Sequence, residues 1–288
     1  MTASATRVRP RLVVLGNCQA ESHRLLLDAG DLESERLPAV HELTPADVEP
    51  LRALLRRTDL LLTQPVADDY RGLPVGTDQL REHLPASARV ALVPSVRYAG
   101  LHPFHLLVHP PGLEQPDPPV VPYHDVRTVL AAAGRPVDPA WRLSPDAVRA
   151  VAAASVAELQ RREVRHGTVV VHDLLVRPTA DSMRTINHPG NTVLEPLAAR
   201  LRAALGLPPA PPGVRRPLLA GIHAPLLPEV VAAHGLAATP TTAWTIEGRT
   251  VAVDEAAAAH LAWYAARPEM LAAALERAAP VVRLLGLG

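Results

Sequence analysis

Hydrophobic positions fall along this chain in short unbroken runs, separated by stretches with helical spacing. Leu12–Leu15 is an apolar run that ends at Gly16, the pattern of a strand entering a tight turn. Gln19–Ala29 then has helical character and stops at Gly30, the residue type that most readily ends a helix in the left-handed conformation. A second short strand is predicted over Arg36–Val40. Thr44-Pro45 opens a helix that carries Val48, Leu51, Leu54 and Leu55 on one face. Asp59–Thr63 is the third strand, Thr77–His83 a helix, and Ala88–Ser95 holds the fourth strand. Strands that are apolar throughout are buried on both faces, as in parallel sheets. Their alternation with helices predicts an α/β fold with a doubly wound, mainly parallel sheet of the flavodoxin-like kind.

The middle of the chain is less regular. His109–Pro122 holds too many prolines for a helix or a central strand. Val148, Ala152, Val156 and Leu159 line a helix running to about Arg165, and Thr168–Val176 fits a short strand. A further helix starts near Asn191, carries Leu194, Leu197, Leu201 and Leu205, and ends at Gly206. Leu207–Pro217 reads as a linker or surface loop, and the chain from Asp254 as alanine-rich helix broken at Pro268. The organisation expected is a disordered lead-in over residues 1–10, an α/β core over 11–206, and a helical C-terminal extension over 207–288 packed on that core.

Composition narrows the chemistry. Of 288 residues 48% are apolar, ample for a core, and 29 basic residues balance 29 acidic ones. That balance excludes the basic excess a nucleic-acid binder needs. Every basic residue is arginine, so no lysine can act as a base or form a Schiff base, and ligand phosphates would fall to arginine, histidine, backbone amides or a metal. The lone Cys18 rules out an intramolecular disulfide and a Cys-x-x-Cys zinc site, and fits a reducing, cytoplasmic setting. The N-terminal residues lack the apolar core of a signal peptide, and no apolar run is long enough for a membrane span. No His-x-x-x-His or zincin spacing occurs, so no metal is predicted. The sequence leaves room for a homo-oligomer.

Parallel α/β sheets bind ligands beyond the carboxyl ends of their strands. Four marked turns fall at such places: Gly16-Asn17-Cys18-Gln19, Thr63-Gln64-Pro65, Pro94-Ser95 with Tyr98–Pro103, and Asn187-His188-Pro189-Gly190-Asn191. Cys18 stands at or just before the start of the first helix, where the dipole and free amides favour a thiolate, an oxyanion or a phosphate. The competing reading is a small buried hydrophobe, the usual fate of a free cysteine. His188 is the first candidate base and His102 its rival; either could serve acyl chemistry with Cys18. His23, about one turn past Cys18, could face the same cleft, although a surface position is the plainer reading. Asp68, Asp69 or Asp181 could orient a histidine. Gly16, Asn17, Gln19, Gln64 and Asn187 are the candidates for oxyanion or substrate binding. Arg71, Arg97 and Arg184 are the candidates for phosphate groups of a cofactor.

Gly16-Asn17-Cys18-Gln19 after an apolar strand resembles the opening motif of the WcbI family of polysaccharide biosynthesis proteins. Gln64-Pro65, Pro94…Gly100-Leu101-His102-Pro103 and Arg184-Thr185-Ile186-Asn187-His188-Pro189 follow in the same order, so the resemblance covers most of residues 11–205. It implies a glycan-modifying acyltransferase that takes coenzyme A or acetyl-coenzyme A as acyl donor and a glycan or small molecule as acceptor. It also implies a remote likeness to SGNH hydrolases, with Cys18 where those enzymes carry a serine nucleophile. Those enzymes place an aspartate three residues before the histidine; Thr185 stands there here, so a Cys–His dyad or a lone histidine replaces a triad. A thioesterase or esterase on the same fold, and a non-catalytic binding protein for coenzyme A or glycan, remain alternatives.

Overall fold

The computed structural model describes residues 9–110 and 117–287. Strand β1 (Arg11–Leu15) leads to helix α1 (Ala20–Leu27), β2 (Glu33–Ser34), α2 (Pro45–Leu55), β3 (Leu60–Thr63), α3 (Thr77–Arg81) and β4 (Arg89–Leu92). Next come β5 (His105–Leu106), β6 (His124–Asp125), α4 (Val126–Ala132), α5 (Pro145–His166), β7 (Met183–Thr185), β8 (His188–Pro189) and α6 (Asn191–Ala204). The rest is β9 (Ile222–His223), α7 (Pro228–His234), β10 (Ala243–Ile246), β11 (Arg249–Ala252), α8 (Val253–Ala265) and α9 (Pro268–Leu285). The chain forms two compact units. The first takes the residues through 96 together with 159–171 and 191–218; the second takes 97–158, 172–190 and the residues from 219 onward.

The first unit is built on a four-stranded parallel sheet in the order β2-β1-β3-β4, with Leu12–Leu15 beside Leu60–Thr63 and those beside Arg89–Leu92. Leu60, Leu61 and Leu62 are all wholly buried, which explains why this strand is apolar at every position. Val13, Leu15 and Leu61 pack with Leu51, Leu54 and Leu55 of α2 and Leu80 of α3. Leu12 and Val14 point to the opposite face, and α1 packs on β1 and on α6. The leucine stripe of α6 buries Leu194, Leu197 and Leu201 completely, each worth about 1.5–3 kcal/mol of apolar burial. Arg202, on the same helix, is buried against Asp31, its Nη2 at 2.6 Å from a carboxylate oxygen.

Among the described residues of the second unit, two hydrophobic clusters stand out. In one, α4, α8 and α9 pack around Val126, Val129, Leu130, Tyr264, Met270 and Ala274. The other gathers Tyr123, Ile186, Ile222, Trp244 and Val251. It lies against the antiparallel sheet β11-β10-β9. Strands β7 and β8 form a separate antiparallel pair, as do β5 and β6.

Three expectations are corrected. Arg36–Val40 is not a strand: Pro38 has no backbone N–H to give, and pairing with β1 is confined to Glu33 and Ser34. Thr168–Val176 is not a strand either. Its donors go to scattered acceptors, Val169 N to Leu92 O at 2.9 Å and Val171 N to the Glu163 carboxylate at 2.8 Å, and His172–Leu175 closes into a 3₁₀ turn. The C-terminal part is helical as expected from α8 onward, yet the residues before it hold the three-stranded sheet that the helical reading overlooked. Its hairpin turns at Glu247-Gly248, both with positive φ (46° and 79°), the two-residue geometry that matches strand twist. The lead-in over residues 1–8 and the stretch 111–116 of the proline-rich segment lie outside the described residues; the described parts of His109–Pro122 form no helix or strand. Among the described residues no helix is long and apolar enough to cross a membrane.

Candidate functional site

Strand order reverses between β1 and β3, and open parallel sheets bind ligands at the carboxyl ends of strands flanking such a reversal. The turn after β1 and the turn after β3 are tied together there. Gly16 is buried, and a Cβ on it would meet the Gln64 side-chain oxygen at 2.8 Å, so glycine is what lets the two turns approach. Asn17 and Gln64 then bond reciprocally: the Asn17 backbone N–H donates to Gln64 Oε1 at 2.8 Å, and Gln64 Nε2 donates to Asn17 Oδ1 at 3.2 Å. Asn17 Oδ1 also accepts from the Gln19 backbone N–H at 2.9 Å, while Asn17 Nδ2 donates to Ser95 Oγ at 2.8 Å, which adds the turn after β4.

Gln19 completes the lock. It is the N-cap residue of α1, wholly buried, and its amide pairs with the backbone of Val96 in both directions: Nε2 donates to Val96 O at 2.8 Å and Oε1 accepts from Val96 N at 3.0 Å. Between these fixed neighbours Cys18 is exposed. The buried-hydrophobe reading of the cysteine is therefore set aside. His23, on the next turn of α1, is wholly buried rather than on the surface. Neither ring nitrogen has a hydrogen-bond partner among the described residues, and burial holds its pKa down to about 4.

In the second unit, β7 and β8 form a tight antiparallel pair that presents Asn187 and His188. Tyr123 fixes the turn: its hydroxyl lies 2.9 Å from Thr185 Oγ1 and donates to Asn187 Oδ1 at 2.8 Å. A Cβ at Gly190 would stand 1.8 Å from the Asp181 carbonyl, so the residue after Pro189 must be glycine. The Tyr123 ring meets His188 edge-on. Burial, then the positive charge of Arg184, then His223, hold the His188 pKa down to about 4, so its imidazole is neutral at pH 7.

His102, the rival base, is buried with its ring nitrogens 3.1 and 3.2 Å from the carbonyls of Pro225 and Met183. The neutral ring carries one N–H, which donates to one of these two carbonyls. His102 also begins a stacked column that continues through His105 and Trp244 to Tyr123. Of the arginines, Arg71 and Arg97 are exposed, and Arg71 donates to the His41 carbonyl. Arg184 is 6% exposed and pairs with Asp181 at 3.1 Å. Asp181 therefore faces an arginine where a histidine had been considered. Asp69 engages Gln79. Gln19 and Gln64, the candidates for ligand contact, are both engaged in holding the chain. Sequence reasoning missed Ser95 as the partner of Asn17 and Tyr123 as the clamp on Asn187; no local pattern marks either. Among the described residues no group of three or more His, Cys, Asp or Glu side chains is gathered to hold a metal ion.

Comparison with known proteins places these turns in context. A family profile described as "Polysaccharide biosynthesis enzyme WcbI" matches residues 11–210. A solved structure described as WcbI, "a novel polysaccharide biosynthesis enzyme", in the native form without a disulfide bond between coenzyme A and one of its cysteines, is similar at a TM-score of 0.71. That likeness comes with 20% sequence identity, covering 94% of this chain and 99% of that one. No curated protein matches the chain by sequence.

Proposed function

Because the chain belongs to the WcbI family of polysaccharide biosynthesis enzymes, we propose that it transfers an acyl group from a coenzyme A thioester to a hydroxyl of a glycan or small-molecule acceptor. The observation that carries this reading is the exposed thiol of Cys18, alone in the chain and set in a turn whose flanking residues are all tied down. The similar solved structure is described as the native protein without a disulfide bond between coenzyme A and a cysteine; that wording pairs the two sulfurs and supports a thiol that meets coenzyme A.

In the proposed reaction Cys18 Sγ attacks the thioester carbonyl carbon. The carbon–sulfur bond to coenzyme A breaks, and coenzyme A leaves with the proton that the Cys18 thiol gives up. The acceptor oxygen then attacks the acyl-cysteine, a new ester C–O bond forms, and the Cys18 sulfur leaves. His188 takes the acceptor's hydroxyl proton and returns it to that sulfur. The neutral imidazole suits the first half of this transfer. The nearby Arg184 charge disfavours the imidazolium, so the proton is passed on and not retained. Gln19, Gln64 and Asn17 act as positioning residues for Cys18, Asn187 fixes the loop that carries His188, and the exposed Arg71 and Arg97 are the proposed phosphate contacts.

Intact-protein mass spectrometry after incubation with acetyl-coenzyme A tests the covalent route. The native chain gains one acetyl group, Cys18→Ala gains none, and His188→Ala acetylates but does not pass the group on. Full turnover by Cys18→Ala would refute the nucleophile. Acyl loss to water with no measurable binding of coenzyme A would make the protein a hydrolase.

A further inference from the structure

A cavity of about 260 Å³ lies within the second unit, and its lining includes neither Cys18 nor His188. Arg184 and Asp181 form its charged part, and His223, Thr239 and Thr245 contribute further polar groups. Thr245 on β10 is paired directly opposite His223 on β9, so the two side chains share one face of the sheet. The remaining lining is mostly small and apolar, Ala238 and Ala243 among it.

The polar groups specify the kind of ligand. Arg184 is almost fully buried, and its Nε–H has no hydrogen-bond partner among the described residues, although Nη2 is paired with Asp181. A buried guanidinium N–H left unpaired is costly and calls for an acceptor. The Asp181 carboxylate is half-exposed and still able to accept. The threonine hydroxyls can do either. Donors and acceptors are thus both present in a site whose arginine charge is already matched by the Asp181 carboxylate. A phosphate or carboxylate finds no surplus cation there, whereas a polyol, each of whose hydroxyls both donates and accepts, matches the set. The volume is just under the ~300 Å³ at which drug-sized sites begin, which suits a single sugar ring.

We propose that this cavity binds one neutral monosaccharide unit, with Asp181 and Arg184 bridging adjacent hydroxyls and Thr245 holding another. That the sugar is the acyl acceptor rests on the function proposed above; that the cavity binds a sugar does not.

Saturation-transfer NMR on the full chain, with methyl α-D-glucopyranoside, mannopyranoside and galactopyranoside as probes, tests the inference. At least one glycoside receives saturation from the native protein. Thr245→Val, an isosteric change on an exposed strand position, weakens that binding about fivefold, the effect of one lost hydrogen bond. Asp181→Asn weakens it as well, and inorganic phosphate does not compete. Absence of signal from all three glycosides, or binding unchanged in Thr245→Val, overturns the proposal. Competition by phosphate that disappears in Arg184→Gln would make the cavity an anion site and overturn it equally. Cys18→Ala separates the two ideas, because loss of acylation with glycoside binding intact leaves the sugar site standing whatever the fate of the reaction.

Discussion

Replacing Gln19 with methionine tests whether the Cys18 turn is held by side-chain mimicry of a strand. The change keeps the length of the side chain and its apolar stem while removing both polar atoms. Gln19 and Val96 are each wholly buried, so water cannot take over the two bonds at 2.8 and 3.0 Å. Gln19→Met leaves the N–H and the C=O of Val96 unsatisfied. Each orphaned group costs about 1–3 kcal/mol, so the pair costs roughly 2–6 kcal/mol. At roughly 2 °C per kcal/mol for a chain of this size, the melting temperature falls by about 4–12 °C. Differential scanning fluorimetry reads that shift. Because the chain has one thiol, alkylation by iodoacetamide reports on Cys18 alone, and its rate changes as the turn loosens. A melting temperature within about 2 °C of native, with an unchanged alkylation rate, would show that the Gln19–Val96 pair does not hold the turn.

Three further outcomes follow from other parts of the molecule. Gly190→Ala places a methyl group 1.8 Å from the Asp181 carbonyl, which the backbone must move to avoid; a loss of about 3 kcal/mol or more is expected, read as urea midpoint or as insoluble expression. Asp31→Ala strands the buried Arg202 guanidinium, at a cost of about 3 kcal/mol, the low end for a broken buried pair because Asp31 itself is partly exposed. Lowering the pH destabilises the fold. His23, His102 and His188 are held to about 4 in the folded chain against an ordinary value of 6.5, and His105 to about 3. The unfolded chain therefore binds more protons between those values. The stability from burying neutral imidazoles is complete above about pH 6.5 and declines as the pH falls toward 4. Melting temperatures that stay flat from pH 7 to pH 4.5 would contradict this.

The contrast between what the sequence disclosed and what it hid has a physical cause. β1 and β3 were legible because strands covered on both faces must be apolar throughout, as Leu60, Leu61 and Leu62 are. α6 was legible because one buried stripe repeats its leucines at helical spacing. Cys18 stood out because a glycine-bearing turn after a buried strand is a recognisable local event. The short strands β9–β11 escaped because exposed Thr245 and Arg249 alternate with few apolar anchors beyond Trp244 and Val251, too weak a pattern to compete with the alanine-rich helices that follow.

Gln19 escaped for a different reason. The structural role of this polar turn residue is hidden until its partner is known, and the partner lies 77 residues away in sequence. The same holds for Asn17 with Ser95 and for Tyr123 with Asn187. Local spacing identified the residue that is left exposed, Cys18, but could not separate it from the neighbours that hold it in place, because that distinction depends entirely on long-range hydrogen bonds. In such turns polarity alone does not identify chemistry. The residue to test first is the one whose side chain the fold leaves open to solvent, here the thiol.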